Sequence, residues 1–283
     1  QETERNRANA LMLQGRALYL QGEPFERWTP MIERAVTALQ APRTRGDIAD
    51  ETTLGLAMAL SVRGSSKWAL WESGVADLDH AVALLRPLAM GTGAATRYKR
   101  EFANILNWSS HQQPTERGID SCREARQVLA DVGTLDLSDL DAASACGDIA
   151  DSEARHALSL GRLDDAERLE QEASALAEKI LLKRPGDLRA MAVRAWTHNV
   201  IGPIEARRFH PRPALDRATE YARASDDSVA MDPSDAVGWR GRLLARQQMA
   251  QALLAHGRVR DADEGFRTAI ALADDARSGA EAR

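Results

Sequence analysis

Two stretches of this chain, residues 154–167 (ARHALSLGRLDDAE) and 252–263 (ALLAHGRVRDAD), follow one order: an Ala-rich amphipathic run, a Gly-Arg break, an acidic residue, and a second Ala-bearing run. A repeated helix, turn, helix unit has an apolar face on each helix that it cannot bury alone. Stacking on the next unit is the simple way to cover that face, so the chain is expected to be an elongated helical array and not a compact bundle. In such an array the working surface is the groove along the stacked helices.

Composition agrees with helix. The chain is Ala-rich and holds only 3 Tyr and 4 Phe, so the best helix former is abundant and aromatic strand formers are scarce. A net charge of -5 speaks against a general affinity for nucleic-acid phosphates, which takes a basic stripe with few opposing charges. Only Lys67, Lys99, Lys179 and Lys183 among the 37 basic residues are lysine; arginine supplies the rest and with it a capacity for bidentate anion recognition. Cys122 and Cys146 are too few and too far apart for a metal knuckle or a disulfide framework, which fits a reducing, cytoplasmic setting. No run of 18 apolar residues is present, so no membrane segment is expected. The opening Gln1-Glu2-Thr3 without an initiator Met reads as part of a longer protein.

Apolar periodicity punctuated by Gly, Pro and Asp divides the chain into six helix pairs. The expected pairs are 4–21 with 28–40, 48–62 with 67–90, 95–112 with 115–131, 138–160 with 163–183, 188–201 with 213–231, and 234–256 with 259–276. The first helices recur about every 46 residues. Asp187 after Pro185-Gly186, Ser234 after Pro233, and the Asp136-Leu137-Ser138-Asp139 stretch offer N-caps. Pro42 and Gly46 close the first pair, and Pro87 marks a bend or final turn. The Pro-bracketed stretch 202–213 is expected to be a long connection, because proline disfavours the interior of a helix.

These residues resemble the tetratricopeptide repeat (TPR) family, which wants a small residue in helix A, a Gly before the turn, and small, large, small positions in helix B. Ala250, Gly257, Ala262, Phe266 and Ala269 fit that pattern in the sixth unit. Ala154, Gly161, Ala166 and Ala173 fit it in the fourth, with Glu170 where a large apolar residue belongs. Gly15 and Gly22, and Ala57 and Gly64, match in the first two units. The period exceeds the ~34 residues of the standard motif, as in the long-repeat sensor arrays of bacterial signalling proteins. The resemblance implies an all-α superhelix of about six helix pairs, one TPR-like solenoid over 1–283.

No residue pattern calls for chemistry. There is no HExxH, CxxC, phosphate-binding glycine loop or GxSxG elbow. Glu153-x-x-His156 and Asp77-x-x-His80 have di-iron spacing but lack the further glutamates such a centre needs. No catalytic residue, metal or cofactor is expected. The resemblance implies that helix A lines the concave surface and presents its motif positions two, five, nine and twelve. With Ala103 as the small position, that line is Arg97, Arg100, Asn104 and Asn107, spaced three and four apart on one helical face. The same register adds Arg16 and Tyr19 from the first unit, Arg155 from the fourth, and Arg189, Trp196 and Asn199 from the fifth. Trp28, Trp68, Trp71, Trp108 and Trp239 are expected to fill gaps between helix layers, with Trp196 turned to the groove. Arg and Asn together suit a carboxylate or acidic peptide. The function expected is a non-catalytic scaffold binding a protein or peptide, with a sensor or regulatory arm of a larger signalling protein as the alternative. Oligomeric state is left open, since the ends of an array expose a stacking face.

Overall fold

A computed structural model of the chain describes residues 2–20, 25–44, 50–69, 73–130, 132, 137–231 and 236–281. Among the described residues twelve helices run in sequence: α1 (Glu2–Leu20), α2 (Phe25–Thr44), α3 (Asp50–Ala69), α4 (Val75–Met90), α5 (Thr96–Ser110), α6 (Thr115–Ala130), α7 (Leu140–Ser159), α8 (Leu163–Lys183), α9 (Leu188–Arg207), α10 (Pro211–Met231), α11 (Ala236–Ala255) and α12 (Val259–Glu281). No strand occurs among the described residues. The fold is all-α, six helix pairs in the order the periodicity predicts. Its contacts form two compact units, Gln1–Glu153 and Ala154–Arg283, divided within α7.

In the first unit each helix packs on the next through α6, and α1 also meets α3 while α3 meets α5. The odd helices α1, α3 and α5 therefore form one layer, against which the even helices pack. The core between them takes Ile32 and Leu39 from α2, Leu56 and Leu60 from α3, Leu85 from α4, Phe102 and Ile105 from α5, Leu129 from α6 and Ile149 from α7. Each such side chain contributes on the order of 1.5–3 kcal/mol by leaving water. Helix α3 is the centre of the unit, buried at every residue from 52 to 62. The second unit repeats the odd-on-odd contact between α9 and α11, with Ala166, Leu169, Val200 and Ile204 in one cluster and Tyr221, Ala222 and Ala245 in another.

The repeated Gly-Arg breaks have one geometry. Gly161 and Gly257 both sit at φ 74. Gly161 N–H donates to Leu158 at 3.0 Å and Arg162 N–H to Ala157 at 2.9 Å; Gly257 N–H donates to Leu254 at 2.9 Å and Arg258 N–H to Leu253 at 3.0 Å. This is the Schellman closure of a helix, in which a left-handed residue lets two otherwise unpaired carbonyls be satisfied. The α9–α10 turn repeats it with Phe209 at φ 60: Phe209 N–H donates to Ala206 at 3.1 Å and His210 N–H to Glu205 at 2.9 Å. Asp187 caps α9 through Ala190 N–H at 2.9 Å, and Asp139 caps α7 through Ala142 N–H at 2.9 Å. The proposed Ser234 cap, Gly22 and Gly46 lie outside the described residues.

Three sequence expectations are corrected. Residues 63–66 do not end α3. Ser65 and Ser66 hydroxyls return hydrogen bonds to Ser61, Val62 and Arg63 carbonyls, and Gly64 serves close approach, not a turn: a Cβ on Gly74 would stand 1.9 Å from the Gly64 carbonyl oxygen. Gln112 secures that contact, donating to Gly64 O at 3.0 Å and accepting from Gly74 N–H at 3.0 Å. Pro42 likewise does not end α2, which reaches Thr44. Nor is 202–213 a long connection: α9 continues through Pro203 to Arg207, leaving a turn of three residues. Pro203 lacks the N–H that would bond the Asn199 carbonyl, and the Gln248 side-chain amide of α11 donates to that carbonyl instead, at 3.1 Å.

Candidate binding face

In the first unit α1, α3 and α5 bring one recess together, lined by Arg16, Tyr19, Met58, Ser61, Val62, Ser65, Glu101, Asn104 and Trp108. The space at the recess comes to about 350 Å³ with open solvent counted in, so it is a shallow dent and not an enclosed cavity. All nine residues come from odd helices, so the recess belongs to the layer that the TPR resemblance assigns to a ligand. Three sequence-derived residues, Arg16, Tyr19 and Asn104, meet here although 88 positions separate the first from the last. Arg16 Nη1 lies 3.0 Å from Glu101 Oε2, joining α1 to α5 above α3. The Tyr19 ring stands edge-on to buried Trp28 with centroids 5.2 Å apart and tilted to Trp108 at 6.3 Å. Burial pushes the Tyr19 hydroxyl above its ordinary pKa, partly offset by a hydrogen bond with Ser65.

Met58, Ser61, Val62, Ser65, Glu101 and Trp108 were absent from the sequence-derived set. A signal existed for two: taking Ala57 as the small position of the second unit puts Met58 and Ser61 at positions nine and twelve. Glu101 and Trp108 each follow a residue already on the α5 line by one position, and a single register misses residues at the edge of a face.

The rest of the α5 line is already partnered. Arg97 pairs with Glu51, hydrogen-bonds the Tyr98 hydroxyl at 2.9 Å and lies over the Tyr98 ring at 4.8 Å. Hydrogen bonding to Tyr98 raises its already high pKa, so it stays charged. Arg100 sits 3.7 Å from Asp139 and 3.6 Å from Asp141. Asn107, buried, donates to Asp148 on α7 at 3.1 Å. The arginines of this face are charge-balanced by carboxylates the chain itself supplies.

In the second unit Arg155 lies 5.3 Å over the Trp196 ring. Trp196 itself is partly buried and packs on Tyr221, Ala222 and Ala245, so its ring serves packing as well. Asn199 is engaged through both its oxygens by Gln248. Arg189 is half-buried near the start of α9. Trp239 carries Arg242 over its ring at 5.3 Å; the Trp68 and Trp71 side chains lie outside the described residues. Among the described residues no three His, Cys, Asp or Glu side chains gather as a metal site, and no helix is long and apolar enough to cross a membrane.

Consecutive helices packed as hairpins, Schellman turns between several of them, and odd helices in contact within each unit define an all-α protein of repeated helix hairpins. Solved structures that resemble it include a protein of Podosopora anserina described as kinesin light chain with nearly identical TPR-like repeats. A single-substitution variant of those repeats is 16% identical over 77% of this chain and 93% of that chain, with a TM-score of 0.41. A second structure of the repeats is 15% identical over 77% and 97%, at 0.39. The likeness is loose, and the hairpin architecture stands on the helix contacts above. No protein-family model and no curated protein sequence matches the chain.

Proposed function

We propose that the protein is a non-catalytic interaction scaffold that holds a segment of another protein along the odd-helix face of its first unit. The observation that supports this reading is the recess itself: Tyr19, Met58, Val62 and Trp108 stand beside Arg16, Ser61, Ser65, Glu101 and Asn104 where successive odd helices meet, which offers a partner apolar and polar contacts together. Arg97 and Arg100 extend the face beyond it. Their pairs with Glu51, Asp139 and Asp141 are half-exposed, and pairs of that kind contribute little. Acidic side chains of a partner therefore exchange with these carboxylates at small cost, which favours a partner segment carrying both acidic and apolar residues. The test is selection from a library of acidic peptides, followed by titration of the best binder against wild type and Arg100→Glu. A loss of about tenfold or more, on the order of 1.4 kcal/mol, is expected for Arg100→Glu and none for Arg267→Glu on exposed α12; equal affinity for both variants refutes the face.

A further inference from the structure

The Arg16–Glu101 pair is placed unlike the others on this face. Its two side chains are 26% and 17% exposed, both line the recess, and they reach toward each other from α1 and α5 over an α3 surface of small serines. Ser65 does not contest them, because its hydroxyl is used on the Ser61 and Val62 carbonyls at 2.8 and 3.1 Å. Tyr19, Trp108, Met58 and Val62 provide apolar wall beside the two charges. A ligand bearing only a carboxylate satisfies Arg16 and sets a like charge against Glu101; one bearing only an ammonium does the reverse. Both charges are answered by a group with ammonium and carboxylate on one carbon, which replaces one ion pair by two.

We propose that this recess binds a free α-amino acid with an apolar side chain, its carboxylate on Arg16, its ammonium on Glu101, and its side chain against Tyr19, Trp108, Met58 and Val62. Asn104, also in the lining, adds an amide that suits the same headgroup. The ligand is a small molecule, so the inference goes beyond protein docking although it uses the same recess: the amino acid sits between α1 and α5 and stiffens the layer a partner would touch.

The experiment is calorimetric titration and thermal melting of the full chain with L-leucine, L-methionine and L-phenylalanine, each beside its amide and its N-acetyl form. At least one free amino acid is expected to bind and raise the melting temperature, with both neutralised forms at least about tenfold weaker. Arg16→Gln and Glu101→Gln are expected to abolish binding. Absence of binding by all three up to about 10 mM overturns the proposal, as does equal binding of the amide or N-acetyl forms. So does equal binding by a capped peptide with the same side chain at its centre, which assigns the recess to a partner's side chain. Should Arg16→Gln fail to fold, the ligand series on the wild type still decides.

Discussion

The three Schellman turns, at Gly161, Phe209 and Gly257, offer a matched set for testing how the hairpins are closed. At Gly161 and Gly257 an added Cβ meets nothing within 4 Å, so Gly257→Ala changes backbone preference without creating a clash. Holding a non-glycine residue in the left-handed region costs roughly 1–2 kcal/mol, while the stiffer unfolded chain returns about 0.4–1 kcal/mol. Gly257→Ala and Gly161→Ala are each expected to lose about 1 kcal/mol net. Phe209 is the mirror case, since it holds φ 60 with its side chain 90% exposed. Its ring gains little from packing, and Phe209→Gly is expected to stabilise by several tenths of a kcal/mol up to about 1. Urea unfolding followed by helical circular dichroism reads all three as shifts in midpoint at unchanged slope. Neutral alanines, or a destabilised Phe209→Gly, would show that the turns are not under left-handed backbone control.

Gln248→Leu removes the donor that replaces the missing Pro203 N–H and is expected to cost about 1–3 kcal/mol. Adding Pro203→Ala restores a backbone donor to Asn199, so a double-mutant cycle by urea titration should show recovery; additive effects would refute the substitution of side chain for backbone. Asp77 accepts from Arg63 at 2.9 and 2.6 Å and from Lys67 at 2.9 Å. Burial pushes its carboxyl up, yet these hydrogen bonds outweigh it and hold the pKa below the ordinary value. A depressed folded pKa gives stability that is present above the unfolded value of about 3.9 and lost as pH falls through the folded one. Asp77→Asn should therefore cost about 1–2 kcal/mol at neutral pH, screened because Arg63 and Lys67 are part-exposed. That difference should shrink below about pH 4, and a constant difference from pH 7 to 3 would exclude the pair as its source.

The sequence by itself determined what is local. Helix periodicity, the Gly161 and Gly257 breaks and the Asp187 cap act within a few residues of themselves, and each takes its expected form. Register along α5 also placed Asn104 on the face that carries the recess. Tertiary structure decided whatever depended on a distant partner. Gly64 reads as a turn until Gly74 and Gln112 are brought against it. Pro203 reads as a break until Gln248, 45 positions on, supplies the missing donor. Arg97 and Arg100 read as free anion receptors until α3 and the start of α7 deliver Glu51, Asp139 and Asp141. Hydrogen bonds and charges are satisfied by whichever group lies within about 3–4 Å, and only the packing of one hairpin on the next brings such groups together.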